Sequence, residues 1–443
     1  MPRRVNGKLS SDGSYQTQLR RAMSRHLPKK GLPTLSDDGR VRWVPRLLVF
    51  CAILMAWDTN STLVDRFTAA RDCVVRMFPT RRRPGSTFTG FIAALAKAGD
   101  DLLCAVTAAL RKSGQSLAES QGWWTTRGWV VFGGDGSKID CPMTEANEKG
   151  LGLGCKKVSW PQMLLTTLFH VGTGLPWGFV RGGGRECERS HLISMFKLLP
   201  KGSLLTADAG FPGYDLFKAA ADAGVEILIR VGGNVKLLTK LGWHVKEFDG
   251  LVYLWPDAKQ KKGMKPLVLR LIKVKDGRNN LVCLVTSVLE TQWLSDDDAI
   301  AIYKKRWLVE LLFRSLKQTM GRRKMLGDSP DTARSELDWS MVGLWLLALM
   351  TAEAVGTTER LAIAPALRAV RHAATNRGRN LRRSLARAVG DRYERKGSKK
   401  ARHWPKRFHR KPPGPPQARR AKKAEVKLAS ELRTREMAEC LTA

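Results

Sequence analysis

"GWVVFGGDGS", residues 128–137, is the stretch on which the fold turns. Its Trp, Val and Phe favour an extended strand, and the run closes on Gly-Gly-Asp-Gly, so Asp135 is expected at a strand end. Next comes "PQMLLTTLFHVGTGLPWGFV" (161–180), two strands joined at Gly-Thr-Gly as a hairpin. "ERSHLISMFKLLP" reads as a helix closed by Pro200, "GSLLTADAGF" as a strand ending in Asp208, "GYDLFKAAADAG" as a helix and "VEILIRV" as a strand. The order β-β-β-α-β-α-β predicts a mixed α/β sheet.

On either side the texture changes. Residues 1–125 read as a helical N-terminal domain, with "VPRLLVFCAILMAWDT" and "TLVDRFTAARDCVVRMF" as helices and one or two more in residues 88–114. Its arginine-rich edges suit DNA contact; a helical cap without DNA contact has the same pattern. Residues 232–295 read as a β-rich insertion ("LVYLWPD", "PLVLRLIKVKD", "NLVCLVTSV") with basic turns "AKQKKGMK" and "DGRNN". Residues 326–390 form a helical C-terminal region containing the buried helix "SELDWSMVGLWLLALMTAEAVG". Residues 391–443 are expected to be a basic flexible tail, because 391–423 carry 14 Lys or Arg against two acids and include "KPPGPPQ".

Composition narrows the partner. In 443 residues the formal net charge is +37, with 43% hydrophobic content. Such a chain buries a large core and presents an excess of cations that a polyanion would neutralise, with salt-dependent affinity. The longest apolar run, "LLVFCAILMAW" (47–57), is too short to span a bilayer, and the opening "MPRRVNGKLSSDG" lacks the apolar stretch of a signal peptide, so no membrane role is expected. Eight scattered cysteines have no paired CxxC spacing and seven histidines no HExxH cluster, which argues for a reduced, cytoplasmic protein without a zinc site.

"YKKRWLVELLFRSLK" (303–317) is read as one helix. At about 100° per residue, Tyr303, Arg306, Glu310, Arg314 and Lys317 share a stripe, with Leu308, Leu312 and Leu316 on the opposite face. The stripe runs about 21 Å, the reach of several phosphates. An ordinary surface helix with Glu310 paired to Arg306 or Arg314 has the same pattern. Asp135, Asp208 and Glu310 would supply three hard oxygen ligands from separate segments, enough for two Mg²⁺ ions clamping a phosphoryl displacement. Each Asp could instead be a turn residue. Asp140, Glu186, Glu188 and Asp257 compete, but none combines a strand end with a small-residue setting.

Tyr303, Arg306, Glu310 and Lys317 fit Y-x2-R-x3-E-x6-K, and "GGDGSKI" and "ADAGF" look like first-Asp and second-Asp motifs. Over residues 128–325 the chain thus resembles the DDE transposases of the IS-four insertion-sequence family, which carry the YREK signature. The resemblance implies a ribonuclease H-like catalytic domain (126–231 and 296–325) broken by the β-rich insertion, with Asp135, Asp208 and Glu310 as the metal-binding catalytic triad. Mg²⁺ would be the cofactor, with Mn²⁺ as a possible substitute. Tyr303, Arg306 and Lys317 would hold phosphates near the transposon end, with Arg314 on the same DNA-binding stripe. The partners implied are double-stranded DNA, as terminal inverted repeats and target, and a second copy in an end-paired homodimer in the bacterial cytoplasm at the nucleoid. The family can hold a flipped base with an aromatic side chain; Trp255 and Trp293 are candidates, though either could be a core residue. A ribonuclease H-like metal nuclease and a non-catalytic DNA-binding relic remain as alternatives.

Overall fold

A computed structural model describes residues 14–35, 42–81, 83–154, 159–275, 281–356, 361–377, 380–390 and 414–442. The first described elements are helices: α1 (Tyr15–His26), α2 (Pro45–Trp57), α3 (Leu63–Met77) and α4 (Phe88–Ser120). Ser14, Thr62 and Thr87 cap α1, α3 and α4 by accepting from backbone amides of the first turn. α4 is broken at Gly99, whose φ of 57° suits a residue without a β-carbon.

Then come β1 (Val131–Asp140), α5 (Glu145–Leu151), the hairpin β2 (Gln162–His170) and β3 (Leu175–Gly183), α6 (Glu188–Ser194), β4 (Leu204–Ala207), α7 (Tyr214–Asp222) and β5 (Glu226–Val231). The expected order is present, with α5 added. β6 (Lys236–Thr239), β7 (Leu251–Leu254), α8 (Asp257–Gln260), β8 (Leu267–Lys275) and β9 (Leu281–Thr286) come next, the basic turn 276–280 lying outside the described residues. α9 (Asp296–Lys305), α10 (Leu308–Arg314) and a π-turn (Ser315–Thr319) lead into α11 (Pro330–Val355), α12 (Ile363–Ala374) and α13 (Leu381–Ala386). β10 (Gln417–Arg420) and α14 (Lys423–Thr442) come last.

Among the described residues ten strands join one mixed sheet in the order β10-β6-β7-β8-β9-β5-β4-β1-β2-β3. β1, β4 and β5 run parallel, while β2 and β3 run back and forth beyond β1. The insertion strands continue the sheet through β9, antiparallel to β5. The far edge corrects an expectation. Residues 391–413 lie outside the described residues, but 417–442, expected within the flexible tail, form a strand parallel to β6 and a helix. The Arg419 guanidinium reaches both Glu425 oxygens at 2.6 and 2.8 Å, and Ala429 is buried in the core over the insertion. These few apolar and paired residues anchor a segment whose average composition reads as disordered.

Alternation along the strands divides the core. Val131, Ile139, Met163, Leu165 and Phe169 pack with the helices, including α2, α10 and α11, while Phe132, Leu168, Leu205, Ile227 and Ile229 pack with α6 and α7. α11 is long and apolar enough to cross a membrane, but 83% of its most apolar window is buried inside the protein, where it packs on α2 and α4. Buried Trp57 donates to the Gly343 carbonyl at 2.9 Å, fastening α2 to α11. Arg66 and Arg322 converge on Glu336 there, at 3.2 and 3.9 Å, and burial lowers Arg322 to about 10.

Candidate active site

Asp135 lies in mid-strand, since β1 continues to Asp140. Gly-Gly-Asp-Gly does not end the strand because β2 pairs with it along its whole length, Asp135 opposite Thr167. What stops at this point is the parallel pairing with β4, whose last register is Gly134 with Ala207. Asp208 is the next residue after β4, so each aspartate is the residue immediately beyond the last β1–β4 pair, where the seam opens. Each uses one oxygen to hold its own turn: Asp135 Oδ1 accepts from Gly136 N and Asp208 Oδ1 from Gly210 N, both at 2.8 Å. Asp135 is on the sheet face shared with Val131 and Ile139, the face covered by the helices.

Glu310 arrives on α10, which packs on β1. The segment 303–317 is not one regular helix. Backbone bonds Arg306 N to Tyr303 O and Glu310 N to Trp307 O tighten the chain between α9 and α10, and the π-turn rotates the residues beyond α10. Arg306 therefore points at the sheet. Its guanidinium lies 3.6 Å from Asp135 Oδ2 and 3.6 Å from Glu310 Oε1, stacked 5.7 Å from the Tyr303 ring centre, with its buried Nε unpartnered. Lys317 does not extend the stripe outward: half-buried, it donates to the Lys138 carbonyl on β1 at 2.7 Å. Burial lowers its pKa. Arg314 stays exposed.

Charge binds the group together. Burial pushes the Asp135 carboxyl up to about 6, a rise that the Gly136 amide opposes and neighbouring Asp208 adds to. Glu310 is raised by burial, lowered by Arg306 and raised again by Asp208. Tyr303 is raised by burial. Glu188, named among the competing acids and set aside for want of a strand end and small neighbours, has its Oε1 2.6 Å from where a β-carbon on Gly136 would sit. Burial and then Asp208 raise it as well. The packing of α6 on β1 is what brings it next to Asp135 and Asp208. Trp307, 58% exposed beside Arg306, escapes the sequence reading, although it projects at about 40° onto the charged stripe.

The other candidates serve structure. Asp140 accepts from Trp160 Nε1 and Gln162 Nε2, Glu186 bonds His191, and Asp257 opens α8. Trp255 is 2% exposed and donates to the Met264 carbonyl, so it is a core residue and not a base holder; Trp293 is 67% exposed.

As the side chains stand, no group of three or more His, Cys, Asp or Glu among the described residues is close enough to hold a metal ion. The donor set nonetheless fits a hard divalent cation. Two of its carboxyls, Asp135 and Glu310, are raised by burial and further by Asp208, and the Arg306 cation lies 3.6 Å from each of those two.

Residues 135–346 match the family model of the transposase DDE domain, a span that opens on Asp135 and takes in Asp208 and Glu310. The match is to a transposase DDE domain over just under half of the chain. The chain is also 28% identical over 158 residues to a protein of Sinorhizobium fredii (strain NBRC 101917 / NGR234) named "Putative transposase y4zB". That alignment covers 34% of this chain and 43% of the relative. A cryo-EM structure of the piggyBac transposase synaptic complex with hairpin DNA aligns over 90% of this chain and 86% of that one, at 11% identity and a TM-score of 0.38.

Proposed function

We propose that the chain is the DNA transposase of an insertion sequence of the IS-four family, acting on the terminal inverted repeats of its element and on target DNA. The observation that carries this reading is the convergence of Asp135, Asp208 and Glu310, from three separate segments, at the open seam of the sheet, with Arg306 bridging two of them. Antiparallel β3-β2-β1 flanked by parallel β4 and β5 supports a ribonuclease H-like catalytic domain, into which the β-rich insertion is spliced.

In this reading Asp135, Asp208 and Glu310 hold divalent metal, Mg²⁺ or in its place Mn²⁺, which when bound supplies charge neutralisation at the scissile phosphate and an activated water or 3′-OH. The chain's own residues do the positioning. Arg306 brings an arginine fork between Asp135 and Glu310 where a phosphate would lie, and the Tyr303 ring restricts its swing. Lys317 fixes the α10 end against β1 and places positive charge there, while Arg314 faces the DNA backbone. Two copies bring two ends together, in the cytoplasm at the nucleoid.

The test is cleavage and strand transfer on duplex carrying the element's ends, with Mg²⁺ or Mn²⁺, comparing the wild type with Asp208→Ala and Glu310→Ala. End-specific cuts and joined products should fall at least about a hundredfold in each variant, the scale of losing a group that stabilises developing charge. Cutting that ignores the ends would make the chain a general nuclease. Tight binding with no cutting by the wild type would make it a DNA-binding relic.

A further inference from the structure

We infer that α1, α12 and α13 form a second gripping surface for the backbone of duplex DNA, assembled from two distant parts of the chain. The inference rests on the reading of the protein as a DNA-processing enzyme, and adds a contact region that neither the catalytic residues nor the family match supplies.

Residues 14–35 and 361–390 contain no Asp or Glu. The fold brings these two acid-free segments together. α1 packs on α12 and α13, Gln16 Nε2 donates to the Ala374 carbonyl at 2.8 Å, and Leu381 N donates to Gln18 Oε1 at 3.0 Å. Between α1, α11 and α13 lies a cleft of about 470 Å³ with Arg21, Arg25 and Arg382 in its wall. Its one carboxylate, Glu353, is already taken by Arg25 at 3.0 Å and His26 at 3.3 Å. Arg21 and Arg382 have no ion-pair or hydrogen-bond partner among the described residues. On the same helices Arg368 and Arg383 are exposed, as is Arg387 just past α13.

Guanidinium groups left uncompensated repel one another and destabilise the surface that carries them unless an anion neutralises them. A single small anion would engage one or two. Cations spread over three helices match the repeating phosphates of a duplex, whose oxygens accept the arginine fork. The surface is also tied to the site: α12 packs on the π-turn Ser315–Thr319, which carries Lys317. DNA held here is therefore positioned by the same rigid elements that place α10.

The experiment measures anisotropy of a labelled 30-base-pair duplex with the full chain in EDTA, where no cutting occurs, over a salt series. Arg21→Gln/Arg382→Gln is compared with the wild type and with Lys149→Gln, a lysine paired with Glu145 on α5. The double variant should bind about tenfold more weakly at 0.1 M salt and lose about one to two from the slope of log K against log salt. Arg21→Lys/Arg382→Lys, which keeps the charge, should recover most of the affinity, separating lost contacts from a damaged fold. Equal affinity and slope for wild type and double variant would overturn the inference. So would a defect that appears with anionic phospholipid vesicles and not with duplex. Cleavage of end-bearing DNA by the wild type, measured separately, decides the functional reading independently of these outcomes.

Discussion

Arg306 has three neighbours that make opposite demands on it. Asp135 and Glu310 attract its charge, while the Tyr303 ring offers a flat surface for its plane. A lysine could not span both carboxylates, because the bridge depends on two separate nitrogens. Asp135 carries a measurable cost. Its carboxyl, near 3.8 in an open chain, is held at about 6 mainly by burial. The folded protein thus keeps a proton that the unfolded chain has already shed between these values. The stability linked to that proton is fully present below about pH 4 and is lost as pH rises through 6. In metal-free buffer Asp135→Asn should therefore unfold at higher denaturant than the wild type at pH 8, by at most about 3 kcal/mol, with the gap closing near pH 4. Equal midpoints at pH 8 would contradict this assignment. At this scale the sequence singled out Asp135, Asp208 and Glu310 and set Glu188 aside, although the fold brings Glu188 against Gly136 beside them. A carboxylate that joins a site by packing against a glycine leaves no local pattern to read.

At the scale of elements, β1 concentrates the constraints. Gly133 faces Phe169 across the β1–β2 ladder, and a β-carbon there would overlap the buried ring. Gly133→Ala should cost about 1–3 kcal/mol, as overpacking does, and a smaller partner, Phe169→Leu, should return part of the loss. Thermal melts of the single and double variants check this; additive losses would mean the ring is not the obstacle. The glycines explain why the strand seemed to stop at Asp135. Gly and Asp disfavour strands locally, but pairing with nine consecutive residues of β2 overrides that preference. Residues 303–317 mislead for a subtler reason. Arg306 and Trp307 keep helical dihedrals, so the pattern looks continuous, and only the hydrogen bonds change partner. Apolar periodicity shows which residues face the core, as Leu312 and Leu316 do, and is blind to a local tightening that re-aims one arginine.

Over the whole molecule, the sheet integrates segments that composition separates. The insertion was legible as β-rich, but its place in line with β1, β4 and β5 was not, because the alternation that makes a strand says nothing about which edge it joins. The C-terminal residues mislead through averaging: a basic, proline-rich stretch precedes a short strand and a helix that dock. Deleting residues 414–443 should uncover the β6 edge together with the apolar surface that Ala429 covers, and the truncated chain should self-associate. Light scattering would detect it, and a monodisperse truncated protein with an unchanged melting temperature would show that β10 and α14 are dispensable.

The parallel pair β10–β6 also has a consequence in time. On the ribosome β6 is made on the order of 180 residues before its partner, an interval of about 10–40 s at ordinary elongation rates. Throughout it the nascent chain carries an open strand edge, held on its other side by a single register with β7. A chaperone that shields such edges should raise the yield of folded protein, and slower translation should lower it.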